Sequence, residues 1–184
     1  YHAIDRVTKQ KVCIKISTRR GKTKNLNILP IEIRILEHIR RIQVKNKDKP
    51  NHRIHNIMTL LAVFTSDISF VIVSPLYDEN SFSKHVFGND VAINMLTIQL
   101  LGVIAVLHSE EIIIRDIKPS NLLWNSEKQT LIMCDFDLST FTNSRHKTCL
   151  GTDGYLAPEV SIHEFSDTAP YYDDKIDIFS AYHF

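Results

Sequence analysis

The run VAINMLTIQLLGVIAVLH, residues 91–108, restricts the possible folds more than any other stretch of this chain. Asn94, Thr97, Gln99 and Gly102 interrupt it, so it falls short of the ~20 consecutive apolar residues that a bilayer span requires. It reads as a buried core helix, and no membrane partner is expected. With 184 residues, 43% hydrophobic and 23% charged, the chain has enough apolar material for one domain or two small lobes around such a core. A formal net charge of +1 offers neither a basic stripe for direct nucleic-acid binding nor an acidic tail. Cys13, Cys134 and Cys149 are odd in number, far apart and outside any C-x-x-C spacing, which favours a reducing compartment over a disulfide framework or a zinc site. The chain opens at Tyr1 without a signal-peptide pattern and closes on the apolar IDIFSAYHF, so it is expected to be a fragment.

Residues 11–17, KVCIKIS, alternate as a strand with Val12, Ile14 and Ile16 on one face and Lys11, Cys13 and Lys15 on the other. The polar RRGKTKN follows as a loop, and Pro30 suits a first helical turn. Ile31, Ile35, Ile39 and Ile42 opposite Arg34, Glu37, Arg40 and Arg41 then predict an amphipathic helix. NIMTLLAVF and ISFVIVSPL, joined by TSD, predict an antiparallel hairpin. The strand-rich part should end near Tyr77 and a helical part begin at an Asp90 cap, giving units 1–77 and 78–184 of an α+β fold. Within the second unit, NLLWNSEKQTLIMCDF reads as a short hairpin.

The chemistry gathers around that hairpin. Asp116, Lys118 and Asn121 stand at D-x-K-x-x-N offsets in one loop, and CDFD, with Asp135, lies on the hairpin's far side. Phosphoryl transfer needs an in-line hydroxyl, metal across the phosphates and positive charge to hold them, and these residue types suit that task. Taken singly, each acid is an ordinary surface group or turn former. The ordered set is what carries the reading.

IRDIKPSN, DFD, GTDGYLAPE and DIFS, in that order, resemble the catalytic loop, magnesium motif, activation-segment end and following helix of eukaryotic protein kinases. The resemblance implies a truncated two-lobed kinase-like fold. Residues 1–77 would be a partial small lobe and hinge without the glycine-rich loop, and 78–184 a partial large lobe. It also implies ATP and magnesium as cofactors. Asp116 becomes the base for the hydroxyl, Lys118 the charge on the phosphate in transfer, and Asn121 and Asp135 the magnesium ligands. VCIK resembles the strand motif whose lysine, here Lys15, clamps the α and β phosphates. Glu32 is the expected helix partner of Lys15, with Glu37 as the alternative. Lys118 and Thr152 are similar to the serine/threonine type, so the implied partner is a protein substrate bearing serine or threonine.

HNIM, FVIVSPLYDENSF, RDIKPSN and GTDGYLAPEV together resemble the cell-division-cycle-seven kinases of replication initiation. That narrower likeness implies an activating regulatory subunit, a role in cell-cycle or DNA-replication control, and a nuclear location. Cyclin-dependent and mitogen-activated kinases also carry KPSN and remain competitors. In the hinge VSPLYD, the narrower likeness makes Ser74 the gatekeeper, Pro75 a carbonyl-only residue and Tyr77 the main N–H donor to adenine. A register shifted by one would move that donor to Leu76.

Two positions depart from the family pattern. Ile114 replaces the histidine before Arg115, and it can still fill an apolar stack beneath Phe136 at a loss of about 1 kcal/mol for the missing polar contact. Asp137 replaces the glycine after DF, where a left-handed backbone would cost a non-glycine residue on the order of 1 kcal/mol. These changes sustain a competing reading, a pseudokinase that binds a partner as a scaffold. Arg115 beside Asp116 suggests control by a negative charge in the activation segment, with Thr142, Ser144 and Thr148 as candidates.

Overall fold

The computed structural model describes residues 1–18, 29–77, 90–125, 127–142, 146–162 and 171–183, with 90–92 as backbone alone. The basic loop, the 77/78 boundary's second side and Ser144 therefore lie outside the described residues.

A four-stranded antiparallel sheet in the order β1-β2-β4-β3 forms the small lobe. Its strands are β1 (His2–Ile4), β2 (Lys11–Thr18), β3 (Ala62–Thr65) and β4 (Ser69–Pro75). The central pair sets Lys15 opposite Ile72 and Val12 opposite Pro75. The alternation of β2 is real, but its apolar face is not the core face throughout. Val12 is buried while Ile16 is 53% exposed. Cys13 and Lys15 face inward toward a cleft.

The helix α1 spans Ile31–Lys45. Pro30 stands just outside it as the cap residue, with an extended ψ of 148°, so the helix begins one residue later than its first turn was expected to. Ile33 and Leu36 join Ile35 and Ile39 in the core, and Glu32 is carried in with them. The buried stripe is thus wider than the one predicted from Ile31 and Ile42, both only partly buried.

The hairpin is shorter than NIMTLLAVF suggests. Asn56 closes a 3-10 turn (Arg53–Asn56), Ile57 bridges to Met133, and the Met58 N–H donates to the Met133 carbonyl at 2.9 Å. These residues serve the large lobe, which leaves only Ala62–Thr65 to pair with β4.

In the large lobe, α2 (Asp90–Ser109) is the long apolar helix. Leu96, Leu100, Val103, Ile104 and Leu107 are buried, whereas Met95, Ile98 and Leu101 are exposed, since no described element packs on that side. The expectation of burial thus holds for one face. Among the described residues, no helix is long and apolar enough to cross a membrane. Gln99 explains one interruption: its Oε1 accepts from the Leu131 N–H at 2.8 Å and from Asn56 Nδ2 at 3.1 Å, while Asn56 Nδ2 also donates to the Leu131 carbonyl at 2.8 Å. Two short pairings follow, β5 (Ile112–Ile113) with β8 (Thr140–Phe141) and β6 (Leu122–Asn125) with β7 (Thr130–Met133). The helices α3 (Pro158–Ser161) and α4 (Lys175–Tyr182) complete the described part. One apolar cluster joins α1, β4, α2 and the β6–β7 hairpin, and a smaller one gathers Ile113, Ala157, Val160, Tyr172 and Ile176. None of the three cysteines is joined in a disulfide.

Candidate active site

The cleft between sheet and helices is a cavity of about 200 Å³, reached by Cys13, Ser74, Leu76, Tyr77 and Cys134, with Lys15, Glu32 and Asp135 on its polar wall. Ser74 is buried. The Leu76 N–H donates to the Lys11 carbonyl at 3.1 Å, so the sheet already uses the donor of the shifted register. The Tyr77 hydroxyl accepts from the Thr59 N–H at 3.4 Å, and burial pushes its pKa up. Burial likewise pushes the Cys134 thiol up to about 12, which keeps it protonated.

On the polar wall, Lys15 Nζ lies 2.7 Å from Glu32 Oε1, 2.9 Å from Asp135 Oδ1 and 2.9 Å from Asp137 Oδ2. Strand pairing sets the lysine and α1 carries the glutamate under the sheet, while Glu37 lies with Arg40 and Arg41 on the outer surface. Lys15 is held well above the ordinary lysine range: burial opposes its charge, but Glu32 and then Asp135 outweigh that effect. Glu32 is 2% exposed, and its Oε2 has no hydrogen-bond donor. Burial first, and the neighbouring Asp137 second, push its pKa up to about 8 against the pull of Lys15. Asp137 shifts the other way; burial works against it, but its closeness to Glu32 and to the Lys15 ammonium lowers its pKa. Both directions follow from crowding three acids around one ammonium, where the most enclosed carboxyl, Glu32, is the hardest to ionise.

The expected strain at Asp137 is absent. Asp135 has a left-handed φ of 63°, as does Arg115 at 69°, but Asp137 is not among the residues with positive φ. Its side chain was not foreseen as a lysine partner either, although an acid in place of glycine beside Asp135 was the available signal.

Asp116 lies in a second network. Its Oδ1 accepts from Thr152 Oγ1 at 2.6 Å, and its Oδ2 lies 2.8 Å from Lys118 Nζ and 3.1 Å from Asn121 Nδ2. Lys118 Nζ also donates to Thr152 Oγ1 at 2.8 Å. The Asn121 backbone carbonyl accepts the Cys134 N–H at 3.0 Å, which fixes the catalytic-loop candidates against the turn that presents Asp135. Asn121 Nδ2 is committed to Asp116, leaving its amide oxygen, and the Asp135 carboxylate is 39% exposed. Oxygen donors of this kind fit magnesium. Glu32, Asp135 and Asp137 also bring carboxylate oxygens within 4.8 Å of one another.

Below the loop, Asp177 of α4 is fully buried and accepts the backbone N–H groups of Ile114 and Arg115, each at 2.8 Å, as well as His108 Nε2 at 2.9 Å. Sequence reasoning quoted DIFS without singling out this aspartate. Ile114 and Phe136 share the main apolar cluster. The Arg115 guanidinium lies over the Tyr172 ring at 5.5 Å, with Nε and Nη2 buried and lacking acceptors among the described residues. Of the activation-segment candidates, Thr148 lies beside Tyr172, 3.4 Å between hydroxyls, and the Thr142 N–H bonds the Glu111 carbonyl at 2.8 Å.

A lysine–glutamate pair across a sheet–helix cleft, with an aspartate loop opposite, defines a protein-kinase-like fold. Residues 1–182 match the protein kinase domain, and the chain belongs to that family, in a truncated α+β form. It is 30% identical over 178 residues to a probable myosin light chain kinase of Dictyostelium discoideum, covering 95% of this chain and 53% of that protein. A second such kinase of the same organism is 31% identical over 185 residues, covering 95% and 47%. The rat serine/threonine-protein kinase Kist is 32% identical over 117 residues, covering 58% and 28%. The chain thus spans about half, or less, of the length of these relatives.

Proposed function

We propose that the protein containing this chain is a serine/threonine protein kinase that transfers the γ-phosphate of ATP to protein hydroxyls. The single observation that carries the reading is the Asp116 network, in which one carboxylate is oriented by Lys118, Thr152 and Asn121 together. Asp116 accepts the proton of the substrate hydroxyl, and Lys118 stands where it can balance charge on the group in transfer. Lys15, held by Glu32, faces the nucleotide phosphates, and Tyr77 is the hinge donor beside the Ser74 gatekeeper. Asn121 and Asp135 would hold magnesium through their side-chain oxygens. Bound ATP with magnesium supplies the transferable phosphoryl group and neutralises its charge. The lobes divide at 77/78.

The finer assignment is to replication-initiation kinases of the cell-division-cycle-seven type, in the nucleus and with an activating regulatory subunit. Its support is FVIVSPLYDENSF together with GTDGYLAPEV. The buried, acceptor-poor Arg115 supports activation by a phosphate on Thr148 or Thr142.

The test is transfer of labelled phosphate from ATP with magnesium by the full-length protein, with and without candidate regulatory subunits and against an Asp116→Ala control. Incorporation that vanishes in the control supports the enzyme. If none appears under any partner, the pseudokinase scaffold, favoured by the hold of Asp137 on Lys15, replaces it.

A further inference from the structure

We propose that Asp137 is a built-in competitor for the nucleotide phosphates on Lys15, so that this residue sets how strongly the site distinguishes phosphorylated from unphosphorylated adenosine. The inference rests on the nucleotide-site reading above. A lysine ammonium has three N–H donors. Here Glu32 and Asp135 accept from it at 2.7 Å and 2.9 Å, and Asp137 Oδ2 completes the set as an ion pair at 2.9 Å. The three acids differ in how they are held. Glu32 is enclosed under the sheet, and Asp135 is fixed by the turn that Asn121 anchors. Asp137 reaches Lys15 from the open side, with its side chain 51% exposed.

An incoming phosphate must displace the Asp137 ion pair, because the two hydrogen-bonded partners are fixed by the fold. The exchange replaces one anion by another on the same ammonium, so Lys15 adds little net attraction for the phosphate. The displaced carboxylate then remains as a like charge beside it. Nothing in the backbone opposes its withdrawal, since Asp137 has no left-handed strain and its N–H makes only a 3.4 Å contact to Asp135 Oδ1. Adenosine, which has no phosphate, meets none of this competition.

The experiment is calorimetric titration of the full-length protein, wild type and Asp137→Asn, with ADP and with adenosine. Asparagine keeps the size of the side chain and removes its charge. The expected result is ADP binding about fivefold tighter in Asp137→Asn, the scale of a partly exposed ion pair, with adenosine unchanged. Asp137→Ser, a second variant with no charge, should show the same selective gain, and Asp137→Gly should gain no more than these. Equal shifts for both ligands, an unmoved ADP affinity, or a gain confined to glycine would overturn the proposal, the last by pointing to backbone freedom. Wild-type protein that binds adenosine but shows no ADP change in the variants sinks the competition alone. Protein that binds neither ligand in any variant sinks the nucleotide-site reading along with it.

Discussion

Asp177 Oδ1 accepts the Arg115 backbone N–H at 2.8 Å from a fully buried carboxylate. The arginine's left-handed φ of 69° turns that N–H downward toward α4, so a residue on the last described helix fixes the backbone immediately before Asp116. Asp177→Ala leaves the Ile114 and Arg115 donors buried without an acceptor. The expected cost is about 3 kcal/mol, read as a lower denaturation midpoint at unchanged slope in urea. A loss under about 1 kcal/mol would show that water replaces the carboxylate.

Stability should fall as pH rises across the histidine range. Burial disfavours charge on His108, but the hydrogen bond and charge of Asp177, with Asp174 and Asp173 behind, outweigh it and hold its pKa above 6.5. The folded state therefore binds this proton more tightly than the unfolded chain. The contribution is fully present below pH 6.5 and is lost as pH rises through the folded value. Urea titrations at a series of pH values should show this decline, and His108→Gln should flatten it.

Gly151 has a φ of 139°, and a Cβ there would lie 2.5 Å from Leu156 Cδ2 and 2.9 Å from the Arg115 carbonyl oxygen. The side chain can give way but the Arg115 backbone cannot without moving the neighbouring Asp116. Gly151→Ala is expected to lower stability by about 1 to 3 kcal/mol and to lower phosphate transfer as well. Thermal melting and the labelled-ATP assay check the two effects, and an unaltered melt would show that the contact relaxes freely.

Gln99→Leu should be destabilising although it makes the long helix more apolar. The exchange leaves the Leu131 N–H buried without an acceptor, at about 1 to 3 kcal/mol. Hydrogen exchange at the Leu131 amide should accelerate in the variant, and an unchanged rate would mean that another acceptor replaces Gln99.

Lys15→Met removes the cation that, among the described residues, the three carboxylates share. Transfer should fall on the order of 100-fold, and the melting temperature should fall too, because Glu32 is left buried without its partner. Retained transfer would show that Lys15 does not act on the nucleotide.

Much of this was legible in the chain itself. The order of IRDIKPSN, DFD and GTDGYLAPE carried the family, and spacing alone placed Asp116, Lys118 and Asn121 in one loop, because contacts between near neighbours depend mainly on local backbone geometry. The alternation of KVCIKIS and the helical spacing from Ile31 to Ile42 likewise gave β2 and α1. Pattern could not give the ends and pairings that depend on distant partners. NIMTLLAVF has a strand's composition, yet Met133 claims its first half. Gln99 looked like an interruption until Leu131 and Asn56 were beside it. The polar wall of the cleft follows the same rule: Lys15, Glu32 and Asp137 are far apart in sequence, and their protonation depends on burial and on one another's charge. Local sequence therefore determined the family, the loop and the main elements. Only tertiary packing decided that Asp137, standing where the family has glycine, closes on the lysine, because a charge interaction of that kind exists only once the fold has brought its partners within reach.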